Sequence, residues 1–387
     1  MEEKNYAEKQ KQSEIVCKNC AAKLSFKPGT TNLKCEYCGA ENEIKVEVRS
    51  IDEIPYFEFI KNAGGNVAAQ VQVTTVKCDA CAAETTFKPN VTSDQCAFCG
   101  NNIVIKGGTT HSAIRPGSVL PFQIEQKVAM DKFRTWLDGL WFAPNDLKKY
   151  AREGKISGMY IPYWTYDSAT ITEYKGERGD DYQETEQYTD DKGERQTRTV
   201  TKTRWSSAWG TVYDDFDDVM VVASKSLPKA IVDELEPWDT SKLINFDEKF
   251  LSGFQTESYQ VDVKEGFEEA KDKMEVVIRE TVKRDIGGDH QRISSLNTQY
   301  NDVTFKHTLL PIWISAYQYN QKPFRFLVNG QTGEVRGERP YSAIKIILFV
   351  LMIIAIIVAI WFIFKEKKES SDIIFDNYDL IKTTLRC

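Results

Sequence analysis

Cys17, Cys20, Cys35 and Cys38 stand in the spacing C-x2-C-x14-C-x2-C, and Cys78, Cys81, Cys96 and Cys99 repeat it. The stretches around them, CKNCAAKLSFKPGTTNLKCEYCG (17–39) and CDACAAETTFKPNVTSDQCAFCG (78–100), are identical at 11 of 23 positions. A CxxC turn aims backbone amides at its sulfurs and brings two thiolates to one point. Two such turns at the ends of a short hairpin place four sulfurs around one ion, at about 2.3 Å each. Four thiolates close the coordination sphere, so the expected role is structural and not catalytic. Zinc is the expected ion in each set, two per chain, although tetrahedral sulfur also suits iron. Disulfides would need an oxidising compartment, and a thioredoxin-like motif needs one CxxC before a helix.

The elements that must hold these cysteines are small. Each set reads as a β zinc ribbon, the first over 15–50 and the second over 76–108. Gly39 and Gly100 follow the last cysteine of each set and suit a positive φ where the chain turns around the metal. Lys-Pro in each FKP begins a turn, and Phe26 and Phe87 are the expected hydrophobic contact of each ribbon. With so little core, the metal must supply most of the folding energy. Residues 51–75 read as a linker with a Gly-Gly break and a few anchoring aromatics.

Charge separates the possible tasks of such ribbons. The chain of 387 residues has a net charge of −7 and a pI near 5.4. From Cys17 to Ser50 six basic residues meet four acids, and from Lys77 to Gly108 three meet three. A module that grips a phosphate backbone should be more basic. Protein interaction or structural support is therefore the favoured reading, with nucleic-acid binding as the alternative.

Other candidate chemistry is sparse. The three histidines, His111, His290 and His307, form no HExxH-type pair, and no GxxxxGK[ST], GxSxG or GxGxxG motif occurs. No catalytic residues are assigned, and the chain reads as non-enzymatic. Asp214, Asp215, Asp217 and Asp218 in YDDFDD could meet a hard cation, but EF-hand spacing is absent and a solvated turn is the favoured reading. Trp164, Trp205, Trp209 and Trp313 read as core aromatics before a ligand groove. Arg195, Arg198, Lys202 and Arg204 are expected to pair with nearby acids. Cys387 lies at the end, where a CaaX box cannot place it.

Residues 115–340 read as an α+β domain. Helical spacing of Val128, Phe133, Trp136, Leu137 and Leu140 predicts one helix, and Asn145 could cap another. Phe267, Ala270, Met274, Val277, Ile278 and Thr281 predict a helix over 263–284. GMYIPYWTYDSATITEY and RQTRTVTKTRW read as strands, the polar stretch 176–194 between them as a hairpin tip or mobile loop, and 307–340 as a β-meander. YIPYW (160–164) and LLPIW (309–313) each place proline two residues before tryptophan, after a helix. The pattern suggests an internal duplication of a helix-plus-meander unit.

Ile346 to Phe364 is a run of nineteen residues without a charge. As a helix it would be roughly 28 Å long, close to the hydrocarbon thickness of a bilayer. It reads as one C-terminal transmembrane helix, followed by a short tail over 365–387. The polar N-terminus carries no secretory signal, and metal-binding thiols favour a reducing compartment. The N-terminal region is therefore expected on the cytoplasmic side. Basic residues flank the run on both sides, so the charge rule does not by itself fix the orientation.

The CxxC sets with FKP, YIPYW, FDDVMVVASKSL (216–227), PIWI (311–314) and FLVNGQTGEVRGERP (326–340) before the apolar run carry a resemblance over most of 15–364. The chain resembles bacterial membrane-anchored proteins with N-terminal ribbons like that of transcription factor TFIIB, often labelled primosomal-helicase-like. The helicase label rests on the cysteine motif, since neither a phosphate loop nor a DEAH-like box is present. The resemblance implies a membrane scaffold of the bacterial inner membrane. Its implied partners are flotillin-like or phage-shock-type envelope proteins. The reading that results is a membrane-anchored zinc-ribbon adaptor that recruits a protein partner at the cytoplasmic face.

Overall fold

A computed structural model describes residues 15–46, 50–62, 70–78, 84–86, 93–96, 98, 102–104, 109–145, 147, 156–189, 193–319 and 322–384. The first cysteine set lies on an antiparallel sheet of β1 (Leu24–Phe26), β2 (Asn32–Cys35) and β3 (Glu41–Glu43). The next segment holds β4 (Ile54–Pro55) and α1 (Tyr56–Lys61). The second set falls among β5 (Gln70–Lys77), β6 (Glu84–Thr86), β7 (Ser93–Gln95) and β8 (Asn102–Val104). After β9 (Thr109–Ile114) and β10 (Ser118–Val119) come α2 (Gln126–Asp138), β11 (Ser157–Thr189) and β12 (Arg195–Val222). The body is completed by α3 (Lys229–Asp233), β13 (Ile244–Asn245), β14 (Gln255–Glu257), α4 (Val263–Ile286), β15 (His290–Tyr319), β16 (Lys322–Asn329) and β17 (Val335–Gly337). Last comes α5 (Ala343–Thr384).

The long strands β11 and β15 pair antiparallel through the two Pro-x-Trp stretches: Tyr160 faces Pro311, Ile161 faces Leu310 and Pro162 faces Leu309. Proline cannot donate to a ladder, so its presence in a central strand needs a reason. Each proline sits where its strand changes neighbour. On its other side β11 leaves β14 after Tyr160 and takes up β12 from Tyr163. Likewise β15 leaves β10 after Leu309 and takes up β16 from Ile312. The missing N–H falls at the gap, where no neighbouring strand calls for it.

The surroundings of the two motifs match bond for bond. The Trp164 indole N–H donates to the Val261 carbonyl at 2.9 Å, two residues before α4, and that of Trp313 to the Ile124 carbonyl at 2.9 Å, two residues before α2. The Ala223 amide donates to the Pro162 carbonyl, and the Gly330 amide to that of Pro311. The carbonyls of Ala223 and Gly330 each accept from two successive amides, Gln260 and Val261 in one case and Gln123 and Ile124 in the other.

Helix α4 covers β11, β12 and β15 with a face at i, i+3 and i+4 spacing: Val263, Gly266, Phe267, Ala270, Met274, Ile278, Val282 and Ile286 are buried. Burying the large apolar members contributes roughly 1.5–3 kcal/mol each. Asp262 caps its start by accepting from the Glu265 amide at 2.8 Å. Gly287, at φ 66°, ends it. Val277, expected on the inner face, is exposed, because the stripe runs through Met274, Ile278 and Val282. On α2 the buried face is Ala129, Phe133 and Leu137, and Val128 is exposed. The helix expected from Asn145 lies largely outside the described residues.

Two expectations about loops are corrected. Residues 176–189 continue β11 and β12 begins at Arg195, so the stretch read as a hairpin tip or mobile loop is strand for most of its length, with 190–192 outside the described residues. Beyond Gly179, where β15 ends its pairing with β11, the hairpin runs on as a two-stranded arm from Asp180↔Arg204 to Thr189↔Arg195. Its composition is polar, but its side chains pair across the strands. Lys202 meets Glu184 and Glu186, Arg198 meets Glu186, and Arg204 lies over Tyr182. YDDFDD is likewise within β12, not a turn. The segment 51–75 carries the anchoring aromatics, with Tyr56 buried 4.4 Å from Phe267 and Phe59 5.1 Å from Phe305.

Gly266 lies where α4 comes nearest β11. A Cβ there would stand 2.6 Å from Tyr166 Oη and 2.9 Å from Trp164 Cδ1. Gly266→Ala should therefore destabilise by about 1–3 kcal/mol through overpacking, although alanine favours a helix by about 1 kcal/mol. A urea midpoint equal to or above that of the parent would contradict this packing.

Candidate metal centre

The two CxxC turns of the first ribbon have one geometry. The Ala21 amide donates to the Cys17 carbonyl and the Gly39 amide to the Cys35 carbonyl, both at 2.9 Å. The Cys17 amide reaches the Ala22 carbonyl, and the Cys35 amide the Ala40 carbonyl. Both turns need a left-handed residue after the second cysteine. Gly39 supplies it at φ 74° as expected, while Ala21 adopts it at φ 57° against a cost of roughly 1–2 kcal/mol.

The sulfurs converge. Cys17 Sγ lies 3.6 Å from Cys38 Sγ, and Cys20 Sγ 3.5 Å from Cys35 Sγ. All four lie within 4.8 Å of one another, and none is in a disulfide. A tetrahedron with bonds of about 2.3 Å has sulfurs about 3.8 Å apart, so the four thiols fit one zinc ion. The amides of Cys38 and Tyr37 draw the Cys35 thiol down to about 7 against the effect of burial. Those of Asn19 and Cys20 lower Cys17, while Cys20 and Cys38, despite their own backbone amide bonds, are raised by burial and by the neighbouring thiols. Amides aimed at sulfur favour the thiolates that a metal requires.

In the second set Cys78 and Cys96 are both buried, and Cys81 and Cys99 lie outside the described residues, as do Phe87, Gly100 and Cys387. This ribbon is tied to the body by a continuous ladder: β9 pairs with β5, β5 with β6, β6 with β14, and β14 with β11.

Docking of the first ribbon goes beyond what its sequence suggests. Phe26 turns outward onto the body, 5.0 Å from Phe250 and 6.4 Å from Phe254. Its amide donates to the Ser252 carbonyl, and Ser252 Oγ donates to the Leu24 carbonyl. Leu24 and Leu33 join the same cluster as Phe122, Tyr160 and Trp313. The same knuckle position differs between the copies. Tyr37, between Cys35 and Cys38, is 85% exposed, whereas Phe98, between Cys96 and Cys99, is 0% exposed and packs in the cluster of Leu120, Met159 and Leu310. The aromatic at this position in both copies was the available sequence signal.

A charged cluster lies where β11, β12 and β15 bulge. Lys306, buried, meets Asp218 at 2.7 Å, Glu53 at 3.0 Å and Asp167 at 3.8 Å. Thr304 Oγ1 donates to Glu53 and Asp167, and the Asp218 amide to Asp167. Asp167, Asp217 and Asp218 converge closely enough to hold a cation, but the Lys306 ammonium already supplies positive charge there. Of the remaining YDDFDD acids, Asp215 is exposed and Asp214 accepts from Thr281. Burial raises Asp167 to about 6.

Of the four tryptophans expected in the core, Trp164 and Trp313 are buried there; Trp205 is only half-buried, under the Arg292 guanidinium at 3.7 Å, and Trp209 is 75% exposed, because both lie on the solvent-facing part of β12. An open cleft of about 520 Å³ beside Trp205 is lined by Lys283, His290 and Arg292. These are engaged with Glu280, Asp181 and Glu177 respectively.

Among the described residues the molecule thus joins a four-cysteine cluster, a sheet-rich α+β body and one helix, Ala343–Phe362, long and apolar enough to span a membrane. No family model matches the chain, and no solved structure does. It is similar to an uncharacterized protein of Bacillus subtilis (strain 168), YdjG, at 28% identity over 333 residues, covering 85% of this chain and 91% of the relative.

Two measurements check these sites. Cys35→Ser in the full chain should lower bound zinc by about one equivalent by elemental analysis, while a bound iron chromophore would reject zinc. A carboxyl raised when folded contributes stability that grows as pH falls through its folded value. Between pH 7 and 5 the stability difference between the parent and Asp167→Asn should shift in the parent's favour. His307, buried, bonded to the Ile114 carbonyl and pushed down to about 4, acts in the opposite sense in both proteins and cancels. A pH-independent difference would contradict the burial of Asp167.

Proposed function

We propose that this chain is a non-enzymatic, membrane-anchored zinc-ribbon adaptor that recruits a protein partner at the cytoplasmic face of the membrane. The observation that carries the reading is Tyr37, a large aromatic 85% exposed on a turn made rigid by two metal ligands, whose counterpart Phe98 is buried. An exposed aromatic on a pre-ordered turn binds with little loss of conformational freedom. The near-balanced charge of both ribbons favours a protein over a phosphate backbone. A cysteine set spaced to bind a metal favours a reducing compartment, here the cytoplasmic side.

The reading includes two zinc ions and one membrane pass in the bacterial inner membrane. It also includes an internal duplication in residues 115–340, favoured by the matched hydrogen bonds around Trp164 and Trp313. The family resemblance makes flotillin-like or phage-shock-type envelope proteins the first partners to seek.

The full chain, extracted in mild detergent, should retain two zinc ions and capture a defined protein that Tyr37→Ala loses by at least tenfold, with zinc content unchanged. Capture that ignores Tyr37 would reject the assigned surface. Binding to DNA or RNA with a steep salt dependence would instead favour a membrane-tethered nucleic-acid binder.

A further inference from the structure

We infer that the loop 139–145 is a second membrane contact, seating Trp141 at the lipid–water interface beside the first turns of α5. The inference rests on reading α5 as membrane-spanning, and it follows from how the loop is bound to that helix. The Ser342 amide donates to the Phe142 carbonyl at 2.7 Å. Lys345 Nζ donates to the carbonyls of Ala143 at 2.8 Å and Trp141 at 3.2 Å. The Phe142 ring meets Phe349 edge-on at 5.3 Å.

Depth follows from helix geometry. The charge-free run begins at Ile346, and Phe349 lies about 4.5 Å further along the axis at 1.5 Å per residue. A ring packed on Phe349 therefore stands at the level where hydrocarbon begins. The lysine that holds the loop carbonyls marks the polar side of the same boundary.

The exposed side chains around this point have the chemistry of that boundary. Trp141 is 77% exposed and Tyr341 is 60% exposed. The Arg339 guanidinium lies over the Tyr341 ring at 5.4 Å, so a cation accompanies the aromatic pair. Tryptophan and tyrosine favour the headgroup level, where an apolar ring and a polar N–H or O–H are both satisfied. Among the described residues, the other strongly exposed aromatics Tyr37, Trp209 and Tyr213 lie on β-turn or strand segments and show no such bond to α5. The partner is a phospholipid surface, and the body is held against it by two attachments.

The test uses the full chain labelled with 5-fluorotryptophan in nanodiscs of phosphatidylcholine and phosphatidylglycerol carrying a headgroup nitroxide. Trp141→Phe, Trp361→Phe and Trp209→Phe assign the three fluorine resonances. The nitroxide should abolish most of the Trp141 signal, as it does that of Trp361 near the far end of the apolar run, and leave Trp209 sharp. A sharp Trp141 beside a broadened Trp361 would overturn the second contact while leaving α5 in the membrane. If both remained sharp, the membrane-spanning reading itself would fall.

Discussion

Pairing of Ile161 with Leu310 is the contact on which the rest of the chain depends. Around it two long strands exchange neighbours, and each tryptophan bonds the approach to a helix: Trp164 that of α4, Trp313 that of α2. Neither strand could slip by one residue. A slip would turn Tyr160, Trp164, Leu310 and Trp313 to the wrong faces and move each proline from its gap onto a ladder position. One register thus determines where both helices sit and where the cysteine ribbons dock.

Much of this was legible in residues with strong local rules. The cysteine spacing specified the first four-thiol cluster, down to the positive φ at Gly39, because sulfurs that must meet at one point restrict the backbone more tightly than packing does. Periodicity located α2 and α4, although it misplaced Val128 and Val277 by one position on the helix wheel. The second strand of the arm was legible from its alternating threonines, whereas the first was read as a hairpin tip or mobile loop because charged and amide side chains have low strand propensity. Cross-strand pairs such as Lys202 with Glu184 and Glu186 decide that case, and pairing partners are invisible before the register is known. Lys306 escaped notice for the same reason. Its acids, Glu53, Asp167 and Asp218, come from three distant parts of the chain.

The two cysteine repeats meet the body in two ways. The first docks through Phe26 on β1 and leaves its knuckle aromatic in solvent. The second buries the knuckle aromatic Phe98 and continues the body sheet through β6 and β14. An ion held by the first cysteine cluster would link metal binding to docking, since its loss would loosen the turn that presents Tyr37 and also the strand that carries Phe26. The buried Lys306 cluster costs desolvation that only its acids offset. Its three carboxylates tie the segment before α1 to both long strands.

The continuity of β11 has a mechanical consequence. From Thr189 at the end of the arm to Tyr160 beside the central pair, the backbone is one strand with no intervening loop. Tension applied at the arm would pass along that strand and load the β11–β15 ladder in shear, spread over many hydrogen bonds at once. A load of that kind is resisted far better than unzipping one bond at a time. The arm is built as a lever whose pivot is the core.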